Sequence, residues 1–318
     1  MPVFNKPLRS IPALALAVVA IHWLSLPALA APKVVASIKP VHSLVAAVMQ
    51  GVGTPQLIVE GAASPHAYSL KPSQAQQLQD ADMVFWIGHG LEAFLEKPLE
   101  ALASDALAVE LEETPGLLTL PLREGGNFEP DADGDEDHDH HHDHGSIDPH
   151  LWLDPDNAVL FVNHIATTLA EFDPANATTY QTNAQSAIER IKAMTSSVAA
   201  GMEPVRSGKF IVFHDGYHYF ENRFGLEASA ALTVNPEIMP GAKRIAEIRQ
   251  RIGELGVTCV FSEPQFKPTL VDLVTEGTQV HSATLDPLGA NLADGPGLYF
   301  TLIENMGNAF RDCLSQGG

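Results

Sequence analysis

Apolar positions along this chain fall into short unbroken runs that alternate with helical stripes. Val34 to Ile38 reads as a short buried strand, and Pro40 to Met49 as a helix with proline near its start. Gln56 to Val59 is a second strand, Gly61 to Leu70 a loop, Pro72 the opening of a short helix, and Met83 to Ile87 a third strand. Asp154 and Pro155 form a helix start, with aspartate as cap and proline at the first position. That helix runs to about Phe172 on a stripe of Phe161, Val162, Ile165 and Leu169.

Residues 176 to 205 are rich in Ala, Gln, Glu, Lys and Ser. Ile188, Ile191, Met194 and Val198 recur there at helical spacing, which predicts a long connecting helix. The second half repeats the alternation. Strands are predicted at Phe210–Phe213, Leu226–Leu232, Val257–Ser262 and Gln279–Leu285, with helices at Lys243–Leu255 and about Gly297–Leu314. Strands that alternate with helices predict a mostly parallel sheet in each half. The expected fold class is therefore α/β: an N-terminal lobe over residues 31–175, a linking helix over 176–205, and a C-terminal lobe over 206–318.

Two segments stand outside that plan. Lys6 and Arg9, the apolar run from Ile11 to Leu24, and Ala28-Leu29-Ala30 have the form of a cleaved export signal. The run is short for a membrane span, and the mature chain is expected to start at Ala31, outside the cytoplasm. Residues 129–144 hold seven aspartates and glutamates besides Glu129 itself, together with His138, His140, His141, His142 and His144. With almost no apolar residues, this segment is expected to be a disordered loop and a weaker, auxiliary metal site.

The formal charge of −21 makes nucleic acid a poor partner and a cation a reasonable one. Cys259 and Cys313 are the only cysteines. An even count in an oxidising compartment favours one disulfide, which would tie the last helix to a strand; two separate buried thiols are the alternative. Two cysteines cannot build a cysteine-rich zinc site.

Three histidines sit where an open α/β sheet builds its ligand site, at the carboxyl ends of strands. His66 lies on the loop after the second strand, His150 just before a helix, and His214 at the end of a strand. Three imidazoles suit zinc, and one more donor completes a tetrahedron. Asp286 is the expected fourth donor, with Glu263 or water as alternatives. Glu263 is better read as a hydrogen-bond partner of loop backbone or of a ligand imidazole. His42, His89, His164, His218 and His281 are expected to pack, face solvent or line the cleft, and His22 leaves with the signal.

Several motifs carry a resemblance across essentially the whole mature chain. They are Ser64-Pro65-His66-Ala67-Tyr68-Ser69-Leu70, Asp148-Pro149-His150-Leu151-Trp152-Leu153-Asp154-Pro155, Phe213-His214-Asp215-Gly216-Tyr217, Ser262-Glu263-Pro264-Gln265-Phe266 and Thr284-Leu285-Asp286-Pro287-Leu288-Gly289. Together they resemble ZnuA, a family of periplasmic zinc-binding proteins with the cluster A-I substrate-binding fold. The resemblance implies two α/β lobes, a rigid linking helix, and Zn2+ held in the interlobe cleft as transported ligand by His66, His150 and His214. It also implies delivery to the membrane permease of a zinc ABC transporter. Manganese-binding relatives typically carry a carboxylate where His214 stands. Some zinc-binding members have glutamate directly before the first ligand histidine. Here that residue is Pro65, which leaves Asp286 or water as fourth ligand.

Two other functions compete. A secreted zinc hydrolase would need a general base beside the metal, a role open to Glu263. The chain has no His-Glu-x-x-His, no Gly-x-Ser-x-Gly and no phosphate loop, so no enzyme is expected. A periplasmic zinc buffer or metallochaperone would share the histidine loop. The carrier is expected to act as a monomer.

Overall fold

The computed structural model describes residues 1–3, 31–123, 125–128 and 147–317. The expected export signal beyond residue 3 and the loop at 129–144, with its five histidines, lie outside the described residues.

In the N-terminal half, β1 (Val34–Ala36), α1 (Lys39–Val48), β2 (Gln56–Leu57), α2 (Pro72–Gln79), β3 (Met83–Trp86), α3 (Ala93–Leu102) and β4 (Leu107–Glu110) follow in turn. They are followed by α4 (Pro155–Phe172) and the long α5 (Ala177–Met202). The C-terminal half runs β5 (Phe210–His214), α6 (His218–Phe224), β6 (Ala228–Thr233), α7 (Ala242–Leu255), β7 (Cys259–Ser262), α8 (Thr269–Thr275), β8 (His281–Thr284) and α9 (Leu298–Leu314). Each half forms a four-stranded sheet, in the orders β2-β1-β3-β4 and β6-β5-β7-β8. Every strand pair within these sheets is parallel. Both lobes thus share one topology, and in each the order reverses beside the central strand that opens the lobe. Ligand crevices form outside the carboxyl ends of strands at such points, and His214 is the last residue of β5.

The two central strands of the first sheet are buried along their whole length, as expected for a parallel sheet covered on both faces. α5 has 26 residues and is about 39 Å long at 1.5 Å per residue. Tyr180, Ala184, Ala187, Ile188, Ile191, Met194, Val198 and Met202 form its buried stripe, against which α1, α4 and α9 pack. α9 comes close because residue 307 is glycine: a Cβ there would lie 2.8 Å from Val198 Cγ1. One apolar core therefore runs from β1 and β3 through these helices to Phe210, Phe220 and Phe261 of the second lobe. A smaller core of Ile211, Phe213, Ile248, Ile252, Val260 and Val271 lies on the other side of the second sheet. No helix among the described residues is long and apolar enough to cross a membrane.

Four elements depart from the pattern-based expectation. α3 was hidden by its internal Pro98, and β4 by the exposure of Leu107 and Ala108 at a sheet edge. α6 and α8 are only seven residues each, too short for a clear period. The lobe boundary is also less simple than a cut at residue 175. Asn127 bridges antiparallel to Ala230, and Ala231 N–H donates to Gly126 O at 2.9 Å, so this stretch lies on the edge of the second sheet. Arg123 crosses with it, donating to the buried carboxylates of Asp215 and Glu221.

Cys259 and Cys313 are joined as a disulfide that ties β7 to α9 across 54 residues. Constraining a loop of that length in the unfolded chain contributes up to about 4 kcal/mol. A Cys259→Ser, Cys313→Ser double variant should lose roughly 2–4 kcal/mol in urea unfolding, read by circular dichroism. Unchanged stability would remove the disulfide from the account of how α9 is held.

Candidate metal centre

His66, His150 and His214 arrive from three separate places and meet between the lobes. His66 sits in a single 3-10 turn, Pro65–Ala67, whose preceding Ser64 accepts from the His66 N–H at 3.3 Å. His150 directly precedes the short turn Leu151–Leu153, which leads into the Asp154 cap and Pro155 of α4. His214 ends β5. Their ring centroids lie 5.3, 5.6 and 5.1 Å apart, and one nitrogen from each falls within 4.8 Å of the others. His150 and His214 are each 4% exposed, while His66 is partly exposed at the mouth. The space between them is about 10 Å³, room for one water or ion, with Trp152, Phe266 and Pro287 among its walls.

Buried carboxylates set the direction of two rings. Asp148 Oδ1 lies 2.7 Å from His150 Nδ1 and also accepts from the His150 backbone N–H at 3.0 Å. Glu263 Oε1 lies 2.6 Å from His214 Nδ1. A carboxylate can only accept, so each Nδ1 carries the proton and each Nε2 presents a lone pair in the neutral ring. These two Nε2 atoms stand 3.2 Å apart. Two lone pairs at that distance repel unless a proton or a cation lies between them. Tyr219 hydroxyl donates to Asp148 O at 2.9 Å, which fixes the backbone beneath the first pair. Burial and the neighbouring Glu263 carboxylate keep the Tyr217 phenol neutral beside the second.

The electrostatics differ from ring to ring. Burial, then the charges of His150 and His214, push the His66 pKa down to about 2. Burial alone would lower His214 too, but Glu263 outweighs it and raises the value above the ordinary 6.5. For Asp148, burial would raise the carboxyl, but His150 holds it below the usual carboxylate range. The site thus offers one ring that resists protonation and one that takes a proton more readily than a free imidazole does.

Glu263 supports a ring, as expected from the sequence. Asp148 does the same for His150, a role the sequence reading missed although the residue stands two positions away. Asp286 was the expected fourth donor. It does not join the converging donors. Its Oδ1 accepts from Gln265 Nε2, Leu288 N and Gly289 N at 3.1, 3.2 and 2.9 Å, and its Oδ2 accepts from Ala290 N at 2.7 Å. A strand-end position puts a carboxylate near the cleft, but local amide donors decide where its oxygens point. Of the other histidines, His42 is buried on α1 against Pro55 O, and His89 lies exposed near Glu96 and Glu110.

The family model described as zinc-uptake complex component A, periplasmic (ZnuA) matches residues 34–313. The chain belongs to the ZnuA family. High-affinity zinc uptake system protein ZnuA of Brucella suis is 49% identical over 306 residues, covering 89% of this chain and 92% of that protein. The ZnuA of Paracoccus denitrificans is 37% identical, over 89% of this chain and 92% of its own length. A crystal structure of ZnuA matches with a TM-score of 0.73 at 23% identity, covering 88% of this chain and 99% of that one. FpvC of Pseudomonas aeruginosa, solved with Mn2+, matches with 0.75 at 20% identity, covering 90% and 99%. These likenesses show that the two-lobed architecture is that of ZnuA and related metal-binding proteins.

The carboxylate control of His214 can be measured without metal. Replacing Glu263 with Gln removes the largest of the influences that raise the His214 pKa and leaves burial, which lowers it, against the weaker pull of Asp215 and Asp148. In Glu263→Gln the His214 imidazole should therefore titrate at a lower pH than in the wild-type protein, read by imidazole NMR of both in the metal-free state. An unchanged titration would show that Glu263 does not set that ring.

Proposed function

We propose that this chain is a periplasmic carrier that binds one zinc ion between its lobes and delivers it to the permease of a zinc ABC transporter. The observation that carries the reading is the facing pair of Nε2 lone pairs on His150 and His214, with His66 closing the triangle. Zinc accepts imidazole readily and favours four donors, so three histidines leave one position for water. Membership of a zinc-uptake family supports the same ion and the same destination. Export through the N-terminal signal would bring the chain to the periplasm, where this family resides. A water-filled fourth position invites comparison with hydrolytic zinc, but Glu263 Oε1 is engaged by His214. The proposed role is capture and release, with no chemical step.

The purified mature protein should take up one tightly bound zinc in the cleft. His214→Ala should weaken that binding by at least about a hundredfold in chelator competition, since two imidazoles cannot fill the shell. The same variant should fail to restore growth in scarce zinc to cells that lack the native carrier. Near-native affinity would exclude His214 as a ligand. Zinc also competes with protons for His214, whose pKa is raised, so affinity should fall as pH drops. A flat profile from pH 7.5 to about 5.5 would argue against imidazole ligation.

A further inference from the structure

We propose that Asp286 serves the metal centre without touching the ion, by shaping the loop that latches the two lobes together. This rests on the carrier reading only for its effect on zinc; the latch itself is a property of the metal-free protein. Four donors converge on the two Asp286 oxygens, three of them the backbone amides of Leu288, Gly289 and Ala290. Gly289 has φ +71°, which lets the chain turn tightly around the carboxylate. The turn aims three of its carbonyl oxygens, those of Pro287, Ala290 and Leu292, across the cleft.

Each of those carbonyls receives a buried donor from the first lobe. Trp152 Nε1–H donates to Pro287 O at 2.8 Å. Lys39 Nζ donates to Leu292 O at 2.8 Å and to Ala290 O at 3.3 Å, and pairs with Asp294 at 3.1 Å. Lys39 is only 4% exposed, so these three acceptors stand in for the water its ammonium lacks. Trp152 is 1% exposed, two residues after His150, and its ring centroid lies 5.4 Å from that of His150. Pro287 and Leu288 also line the space among the three histidines. The same short loop is thus a wall of the metal cavity and the acceptor for the first lobe.

The physical consequence is direct. His66 and His150 belong to one lobe and His214 to the other, so the spacing of the triangle depends on how the lobes are held. An imidazole displaced by a fraction of an ångström still binds, but the three no longer meet zinc at one bond length. Asp286 is a positioning residue in this account. Removing it should loosen the site without changing what coordinates the ion.

The test compares wild type with Asp286→Ala, Asp286→Asn and Lys39→Met. In the zinc-free protein, hydrogen exchange of the Trp152 indole N–H should accelerate by about tenfold or more in Asp286→Ala and Lys39→Met. Zinc dissociation, followed with a chromogenic chelator, should quicken by about tenfold in both. The Asp286→Ala, Lys39→Met double variant should exceed the larger single effect by little, because both act through one loop. The visible spectrum of the cobalt-loaded protein should be the same in Asp286→Ala as in wild type. Asp286→Asn keeps one acceptor oxygen and should fall between, and it stands in should the alanine variant not fold. A changed cobalt spectrum would make Asp286 a ligand and overturn the proposal. So would unchanged indole exchange, unchanged zinc release, or fully additive effects of the two substitutions. Wild-type protein that took up no zinc would defeat the carrier reading alone, since indole exchange would still decide whether the latch exists.

Discussion

Two nitrogen lone pairs held 3.2 Å apart by buried carboxylates are the constraint on which this molecule turns. Asp148 and Glu263 each fix the proton of one imidazole on the far side of the ring, so the near sides face each other. Neither carboxylate is exposed, at 1% and 3%. A buried carboxylate without compensation is costly, and here the compensation is an imidazole that becomes cationic or holds a cation. The site is therefore built to be completed. Once a divalent ion lies between the rings, the carboxylates, the imidazoles and the ion form a chain of alternating charge in a poorly solvated place. There, each interaction is stronger than it would be in water.

The rest of the fold makes that arrangement possible. Two sheets of the same topology bring their strand ends toward one cleft, and a single apolar core running through α4, α5 and α9 keeps them in register. Polar contacts then cross the cleft on several sides. Arg223 of α6 reaches Asp154 at the start of α4, Tyr219 reaches the backbone of Asp148, and Tyr299 donates to Trp152 O. The residues these donors reach lie within a few positions of His150. Several contacts between the lobes thus gather around the segment that carries a metal-facing ring, where positional error matters to the site.

Much of this was legible in the chain. Runs such as Val34–Ala36 and Phe210–His214 are apolar without alternation because both faces of a parallel sheet are covered, and their pattern announced it. The three histidines stood out because each follows a strand or precedes a helix at the cleft end. Direction was not legible. Asp286 occupies a suitable place, yet adjacent amides capture its oxygens, and only backbone geometry shows that. Asp148 was overlooked because a residue two positions from a histidine reads as part of a loop motif until a distance is known. Arg123 illustrates a third limit: its partners Asp215 and Glu221 are more than ninety positions away, and no local pattern links them.

The central claim is that three imidazoles, two of them oriented by carboxylates, hold the ion between the lobes. Anomalous scattering at the zinc edge from crystals of the zinc-loaded protein tests it most directly. The account predicts one ion about 2.0–2.1 Å from a ring nitrogen of each of His66, His150 and His214. It also predicts that Nδ1 of His150 stays on Asp148 and Nδ1 of His214 stays on Glu263. An ion bound through the Asp286 carboxylate, or lying outside the triangle, would contradict it.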